Sequence, residues 1–434
     1  MKVLIVNTYD FGGAANSCVR LHLGLLDCDV DSSLLLRTRQ NPNIPNSFIS
    51  SAPKSIQQKN NSNRITRKLK HVFFQKNKDK KEATNGLSHK IDLVLKERSK
   101  ELEMFSLVKS KFDITESVLY KEADIINLHW VADFLDFESF FAKNTKPLVW
   151  TLHDMFPFTG GEHYEENYLG IDTYGKPKLR LVSQEEKEIS AEIFSLKQKL
   201  FESCKSLTLV APSLWLANEA KKSGAFLNNR ILHIPYGLDK EVFTLRNKEF
   251  SREILNIPKG KKVILFVAES LKNNRKGFVY LMKAFESLNV NDAVLCAVGH
   301  KTSELKTMGN LIQLGPIKDE RLMSLVYSAA DIFIIPSLMD NLPNTVLESL
   351  MCGTPVIGFP VGGIKEMIDH GHNGLLTNEI SVLALQAAIQ SFLNGDYKFN
   401  QSEIRNQAIK KYSLEVQAKK YKELFQGLLI DNKC

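Results

Sequence analysis

Residues 331–359 constrain the fold of this chain more than any other stretch, because they spell a strand, a polar loop, a helix, a tight turn and a second strand in immediate succession. Asp331 to Ile335 is a short, isoleucine-rich apolar run, the composition of a strand buried on both faces. Pro336 and Ser337 end it. Asn344 is expected to cap a helix that runs to about Met351, Gly353 to stop that helix, and Pro355 to Phe359 to form the next buried strand. Such a βαβ unit places the loop 338–344 at the carboxyl end of a parallel sheet, where open α/β sheets bind ligands. The loop carries one carboxylate, Asp340, and the helix a second, Glu348, eight positions on. Between them a helix start offers backbone N–H groups and the positive end of a dipole, a seat for phosphate. Carboxylates for sugar hydroxyls beside a phosphate seat suggest a nucleotide-sugar site.

The rest of the chain repeats the alternation of short apolar strands with helical segments. In the first half the pattern predicts strands near 3–6, 33–36, 125–128, 148–151, 207–210 and 231–234. In the second half it predicts them near 263–267, 293–298, 310–314, 332–335 and 356–359. A chain of 434 residues is long for one domain. The pattern predicts an α/β protein of two Rossmann-like halves facing a central cleft, joined near Pro235–Asp239, where Pro and Gly permit a turn. The expected units are 1–235, with a long insertion near 41–120, then 236–405. Residues 402–429 read as one long terminal helix. Asn41–Asn63, rich in Asn, Ser and Pro, reads as loop.

At the frame Pro336-Ser337…Glu348-Ser349…Gly353-Thr354-Pro355-Val356-Ile357 the sequence resembles the retaining glycosyltransferases of the GT-B fold, in the large family four, and particularly its bacterial surface-polysaccharide members. Asp340 stands where that family has the first of two glutamates spaced by seven residues. The resemblance extends to Gly12-Gly13, to Thr151-Leu152-His153-Asp154 and to Pro235-Tyr236-Gly237-Leu238-Asp239, and so spans most of the chain. It implies transfer of a sugar from a nucleoside diphosphate donor with retention at the anomeric carbon. The family's favoured proposal is front-face displacement, in which the leaving diphosphate helps to deprotonate the acceptor. It implies a saccharide acceptor, lipid-linked in capsule, exopolysaccharide, lipopolysaccharide or O-antigen assembly. It also implies a first half that serves the acceptor, a second half that binds the donor, and a terminal segment, 406–434, that crosses back to the first half. Neither a cofactor nor a metal is expected. Rivals of the same fold are a sugar-nucleotide epimerase and a phosphorylase; a rival of another class is a non-catalytic sugar-nucleotide-binding protein.

The site residues follow from the motifs. Arg275-Lys276-Gly277 lies after the strand 263–267 and opens a helix; fixed cations there would stabilise a departing diphosphate. The family carries an arginine at the position of Ser270, and Arg275 is the substitute charge. Glu348 would accept from the ribose hydroxyls, Asp340 would face the donor sugar, and Asn341, Asn344 and Thr345 would line the donor. The resemblance adds Ile317, after Gly315-Pro316, as a contact to the base. Gly13 lets a backbone approach a phosphate or an acceptor closely, although a turn pair of glycines is common without function. Gly12-Gly13 lacks the Gly-x-Gly-x-x-Gly spacing of a dinucleotide site. His153, at a strand's carboxyl end, is the expected first-half contact to the reacting sugar, or else a structural cap. His129 and Trp130 are acceptor-side candidates, with a packed tryptophan as the alternative. His153, Asp340 and Lys276 form the expected catalytic set. Asp29-Val30-Asp31 matches the Asp-x-Asp metal motif of other glycosyltransferases but reads as a solvated turn at the sheet's amino edge.

The net charge is +8 and uneven: residues 54–81 hold ten Lys or Arg against one acid, Asp79, with Ile65, Leu69, Val72, Phe73 and Phe74 among them. Two readings stay open, a basic amphipathic segment on an anionic membrane and a solvated insertion. No nucleic-acid motif accompanies the charge, so nucleic acid is not an expected partner. Six cysteines at Cys18, Cys28, Cys204, Cys296, Cys352 and Cys434 show no metal, redox or disulfide spacing. With an amino-terminal apolar run too short for a signal peptide and no apolar run long enough to span a bilayer, the expected place is the cytoplasm, with peripheral contact to the inner face of the plasma membrane as the possible addition.

Overall fold

The computed structural model describes residues 1–50, 91, 94–96, 98, 102–165, 168–288, 292–300 and 310–431. The basic stretch 54–81, on which the membrane expectation rests, lies outside them. The first half contains β1 (Lys2–Tyr9), β2 (Asp31–Thr38), β3 (Ser47–Ile49), β4 (Ile125–Leu128), β5 (Leu148–Thr151), the pair β6 (Tyr168–Ile171) and β7 (Pro177–Leu179), β8 (Leu207–Ala211) and β9 (Arg230–His233). Seven of these form a parallel sheet in the order β3-β2-β1-β4-β5-β8-β9, while β6 and β7 pair antiparallel with each other. The second half contains β10 (Lys262–Ser270), β11 (Ala293–His300), β12 (Leu311–Gly315), β13 (Ile332–Ile335), β14 (Val356–Gly358) and β15 (Gly374–Leu376), a parallel sheet in the order β12-β11-β10-β13-β14-β15.

The central strands are buried along their whole apolar runs, as helices on both faces of a parallel sheet require. In both sheets the chain lays strands outward from the first, then returns to its other side. The strand order therefore reverses between β1 and β4 and between β10 and β13, and ligands bind at such switch points, outside the carboxyl ends. Gly12-Gly13 follows β1, His129-Trp130 follows β4, Arg275-Lys276 follows β10 and the Asp340 loop follows β13. Four motifs far apart in sequence thus converge on the two switch points.

Three expectations are corrected. Ser47–Ile49, read as loop, is an edge strand. The β6–β7 pair and β15 carried no clear strand signal, being short. Asn344 does not cap the helix α4 (Asn344–Met351); Pro343 occupies the cap position without a side-chain bond, and Asn344 is the first helical residue. The terminal segment is not one helix over 402–429 but two, α5 (Gln401–Tyr412) and α6 (Leu414–Asp431). Ser413 breaks them in an extended conformation (φ −70°, ψ 152°), and the break lets Leu238 pair with both sides, its N–H donating to the Tyr412 carbonyl at 2.8 Å and its carbonyl accepting from Leu414 at 2.9 Å. Ile404, Ala408 and Tyr412 pack into a core of the second half, while Tyr421 and Phe425 pack with Val3 and Ile5 of the first. The return to the first half therefore begins at Ser413, where the junction residue Leu238 is pinned. Among the helices, α1 (Gly13–Asp27) underlies β1, α2 (Phe278–Ser287) follows Lys276, and α3 (Glu320–Ala329) precedes β13.

Candidate active site

Lys276 sits on a single 3₁₀ turn, Asn274–Lys276, that Asn273 caps and Gly277 closes. Gly277 has φ +68°, and a Cβ there would lie 1.8 Å from the Pro336 carbonyl oxygen. Only glycine lets this turn rest against the end of β13. The consequence is chemical. The Lys276 ammonium donates to Asp340 Oδ2 at 2.6 Å, so the Lys-Gly pair and the Asp340 loop, 64 residues apart, make one charged unit. Burial would push the Asp340 carboxyl up, but Lys276 and Arg275 together outweigh it and hold it below its ordinary value. Burial is also the main cause of the lowered Lys276 pKa, with Asp340 opposing it. The pair is ionised, and the Lys276 side chain keeps 29% exposure while Asp340 keeps 9%.

Arg275 turns the other way. Its Nε donates to Glu103 at 2.7 Å, its Nη1 donates to the Met339 carbonyl at 2.7 Å and lies 3.6 Å from Asp340, and its guanidinium covers the Tyr164 ring at 4.4 Å. Glu103 and Tyr164 belong to the first half, so Arg275 ties that half to the donor loop. The diphosphate role expected for it therefore competes with four contacts already in place.

Glu348 lies on α4, buried, with Oε2 accepting from the Tyr327 hydroxyl at 3.0 Å. Its Oε1 accepts from Arg20 Nη2 at 2.8 Å, and Arg20 comes from α1 of the first half. Arg20 also donates to Glu320 at 2.6 Å. Burial raises the Glu348 pKa, Glu320 adds to the rise, and Arg20 and Tyr327 offset part of it. Asn344 reaches across as well, its Nδ2 donating to the Gly13 carbonyl at 2.9 Å. Thr345 is half-buried in the first turn of α4; Ile317 is half-buried against the second-half core, after β12; Gly13 is exposed at the start of α1.

His153, after β5, belongs to a buried hydrogen-bonded chain whose direction follows from its ends. The Asn127 carboxamide oxygen accepts from Thr151 at 3.1 Å, so its Nδ2 donates to His129 Nε2 at 3.0 Å. His129 then donates from Nδ1 to His153 Nε2 at 2.9 Å, and His153 donates from Nδ1 to the Tyr236 hydroxyl at 2.7 Å. Burial is the main cause that lowers both imidazoles, His153 to about 4 and His129 well below its ordinary value. Both rings are neutral near pH 7, and both His153 nitrogens are spent inside the protein. What His153 presents across the cleft is its backbone carbonyl, which accepts from Asn341 Nδ2 at 3.1 Å; Ser213 Oγ donates to Asn341 Oδ1 at 2.6 Å. Trp130 is half-buried, its Nε1 donating to Asp154 Oδ2 at 2.9 Å and its ring stacked on His163. The structure thus brings His129, Trp130 and His153 together at one switch point and Lys276, Asp340, Asn341, Asn344 and Glu348 together at the other, with direct contacts between the groups. Asp29, by contrast, sits in a left-handed turn (φ 58°) before β2, at the opposite edge of the sheet.

Sequence reasoning missed Arg20, Glu103, Tyr164 and Tyr236. Arg20 did carry a signal: a cation set among Cys18, Val19, Leu21 and Leu25 on a helix is on an apolar face and needs a buried partner.

With the geometry in hand, the likenesses to known proteins are informative. Residues 247–412 match the family model described as glycosyl transferases group 1. The match covers Lys276, Asp340 and Glu348. A putative teichuronic acid biosynthesis glycosyltransferase of Bacillus subtilis is 30% identical over 185 residues, 42% of this chain and 46% of that protein. A D-inositol 3-phosphate glycosyltransferase of Corynebacterium urealyticum is 30% identical over 221 residues, 46% of this chain and 51% of that protein. The chain spans about half the length of the curated relatives it matches. Whole-chain likeness is seen in solved structures: a sucrose-phosphate synthase from Thermosynechococcus elongatus superposes over 99% of this chain and 100% of its own with a TM-score of 0.67 at 15% identity. HepE from Anabaena, in complex with UDP and glucose, superposes over 98% of this chain and 99% of its own with a TM-score of 0.62, also at 15% identity. The fold is GT-B.

Proposed function

We propose that this chain is a retaining glycosyltransferase of family four that moves a sugar from a nucleoside diphosphate donor to a saccharide acceptor. The observation that carries the reading is the Lys276–Asp340 pair at the β10/β13 switch point, one helix away from Glu348 and inside the segment that matches group 1 glycosyl transferases. In this reading Lys276 stabilises the diphosphate as its charge develops, because a fixed cation in a water-poor site acts most strongly where charge appears. Asp340 accepts from donor-sugar hydroxyls. The ribose takes the Glu348 carboxylate that Arg20 holds in this structure. Asn341 holds the His153 carbonyl at the first-half wall, and the Tyr236 and His129 bonds keep the His153 ring from turning. The acceptor oxygen attacks from the face that the diphosphate leaves, and a diphosphate oxygen takes its proton. Neither a cofactor nor a metal is assigned a role. The relative named for teichuronic acid biosynthesis supports a surface polysaccharide as the product; a lipid-linked acceptor at the inner face of the plasma membrane is the further part of the proposal. No helix among the described residues is long and apolar enough to cross a membrane.

Calorimetric titration with UDP, GDP, ADP and dTDP tests the donor half of the reading. One of them should bind, and Glu348→Gln should weaken that nucleotide by about tenfold, the loss of one hydrogen bond to a charged group. Binding that is indifferent to Glu348→Gln removes the ribose role.

A further inference from the structure

We infer that the acceptor carries an anionic group, a phosphate or a carboxylate, and that a cationic pocket at the carboxyl ends of β2 and β4 receives it. This rests on the glycosyltransferase reading and adds the chemical class of the acceptor. The pocket, about 380 Å³, is lined by Arg37, Lys109, Ser110, Lys111, Phe112 and Asp133, with Thr38 at its edge. That volume lies in the range of small-ligand sites. Three cations face it against one carboxylate.

Arg37 is held in place rather than waving in solvent. Its Nη2 donates to the Tyr9 hydroxyl at 2.6 Å, its Nη1 donates to the Asp133 carbonyl at 2.9 Å, and its guanidinium lies 5.0 Å over the Tyr9 ring. A guanidinium fixed by two neutral acceptors keeps its charge for an anion and loses little entropy on binding one. Asp133 sets this geometry. It adopts φ +56°, which a residue with a Cβ rarely does, and its carbonyl also accepts from Ser110 Oγ at 3.4 Å, joining the 109–112 segment to Arg37. The Asp133 carboxylate is 4.0 Å from Arg37 Nη1 and largely exposed, so it screens the arginine only weakly. Lys109 pairs with Glu138, and Lys111 is exposed.

The place of the pocket fits an acceptor and not the donor. From the reaction side, Asp154 accepts from Trp130, Trp130 lies 5.7 Å from the Tyr9 ring, and Tyr9 bonds Arg37. Phe11, exposed, extends the aromatic surface at 4.9 Å from Tyr9. An aromatic shelf binds a sugar ring, and the cations beyond it would meet a charge carried further along the acceptor. The donor charge, by contrast, belongs to Lys276 in the other half.

Two experiments test this. The first needs no activity: inorganic pyrophosphate is titrated into the full chain, into Lys276→Ala, into Lys111→Gln and into the Arg37→Gln/Lys111→Gln pair. Binding that persists in Lys276→Ala and is lost in the pair supports the pocket; binding that is lost in Lys276→Ala alone, or that no variant alters, overturns it. The second uses the nucleotide sugar that the wild-type chain hydrolyses. Matched acceptors are compared: a neutral glycoside, the corresponding uronic acid, and the same sugar on an alkyl diphosphate. KM for the charged acceptors should be lower than for the neutral one and should rise by about tenfold in Lys111→Gln. Donor hydrolysis without acceptor should stay unchanged. A preference for the uronic acid assigns the charge to an acidic sugar, and a preference for the diphosphate assigns it to a lipid carrier. A neutral glycoside used as well as either, or a KM ratio that Lys111→Gln leaves alone, sinks the inference. If no nucleotide sugar is bound or hydrolysed while pyrophosphate still behaves as above, the glycosyltransferase reading fails and the anion pocket survives.

Discussion

Replacing Arg20 by alanine should cost more stability at neutral pH than at mild acidity, and the size of the difference can be worked out. Arg20 is 6% exposed and Glu348 7% exposed, so the ion pair between the two halves is almost dry. Removing one partner of such a pair ordinarily costs about 3–5 kcal/mol. The Glu348 carboxyl has an escape, which is to take up a proton, and that sets a ceiling. Starting from its ordinary value of 4.5, protonation at pH 7.5 costs about 4 kcal/mol, three units at roughly 1.4 kcal/mol each. At pH 5 the same step costs about 0.7 kcal/mol. The sign follows from linkage. The Glu348 pKa is raised in the folded chain, so the folded state binds a proton that the unfolded state does not, and stability falls as pH rises through that window. Without Arg20 the folded pKa climbs further, the window widens, and the penalty at pH 7.5 grows while that at pH 5 barely changes. Glu320 adds little, because its side chain is 40% exposed and solvent screens it. The deficit of Arg20→Ala should therefore shrink by about 2–3 kcal/mol between pH 7.5 and pH 5. Denaturant unfolding of wild type, Arg20→Ala, Glu348→Gln and the double variant at both pH values measures it as a cycle. Equal deficits at the two pH values, or single effects that simply add, would refute a buried Arg20–Glu348 pair.

Gly277→Ala should cost about 2–4 kcal/mol, from a left-handed backbone and a Cβ driven into the Pro336 carbonyl, whereas Gly395→Ala, at φ +79° in open space, should cost only about 1 kcal/mol; equal melting temperatures for the two variants would deny that the Lys276 turn is wedged against β13. His153 should stay neutral from pH 8 down to pH 5.5, with its proton on Nδ1. Imidazole ¹⁵N shifts report this directly, and a titration centred near 6.5 would break the Asn127–His129–His153–Tyr236 chain. Tyr236→Phe removes the acceptor at the end of that chain and should change the His153 tautomer in the same spectrum; an unaltered spectrum would mean that Tyr236 does not hold the ring.

How far the sequence could be read depended on where each signal lay. The frame Pro336…Ile357 was legible because β13 and β14 are buried on both faces and so appear as unbroken apolar runs, with Gly353 ending the helix between them at φ +75°. The edge strand β3 escaped because one row of its backbone needs no partner, and Asn, Ser and Pro around it read as loop. The β6–β7 pair escaped for another reason. Tyr168 packs into a core of the second half, so the pattern of β6 answers to a surface that its neighbours in sequence do not supply. The break at Ser413 was hidden in a helical periodicity that continues across it. The site divides in the same way. Lys276, Asp340 and Glu348 could be named because each sits in a local motif. The partners that hold Glu348 and Arg275 could not: Arg20 lies 328 residues from Glu348, and Glu103 lies 172 residues from Arg275. Only tertiary structure pairs residues at such separations.

The most direct test of the central claim is the stereochemistry and Lys276 dependence of nucleotide-sugar turnover. Purified protein is incubated with a panel of α-linked nucleoside diphosphate sugars and acceptors, and the anomeric coupling of the product is read by ¹H NMR as it forms. A retaining transferase with Lys276 on the diphosphate gives an α-linked product, and Lys276→Ala slows its formation by about 10²–10³-fold without unfolding the chain. A β-linked product, or turnover at the wild-type rate in folded Lys276→Ala, would contradict it.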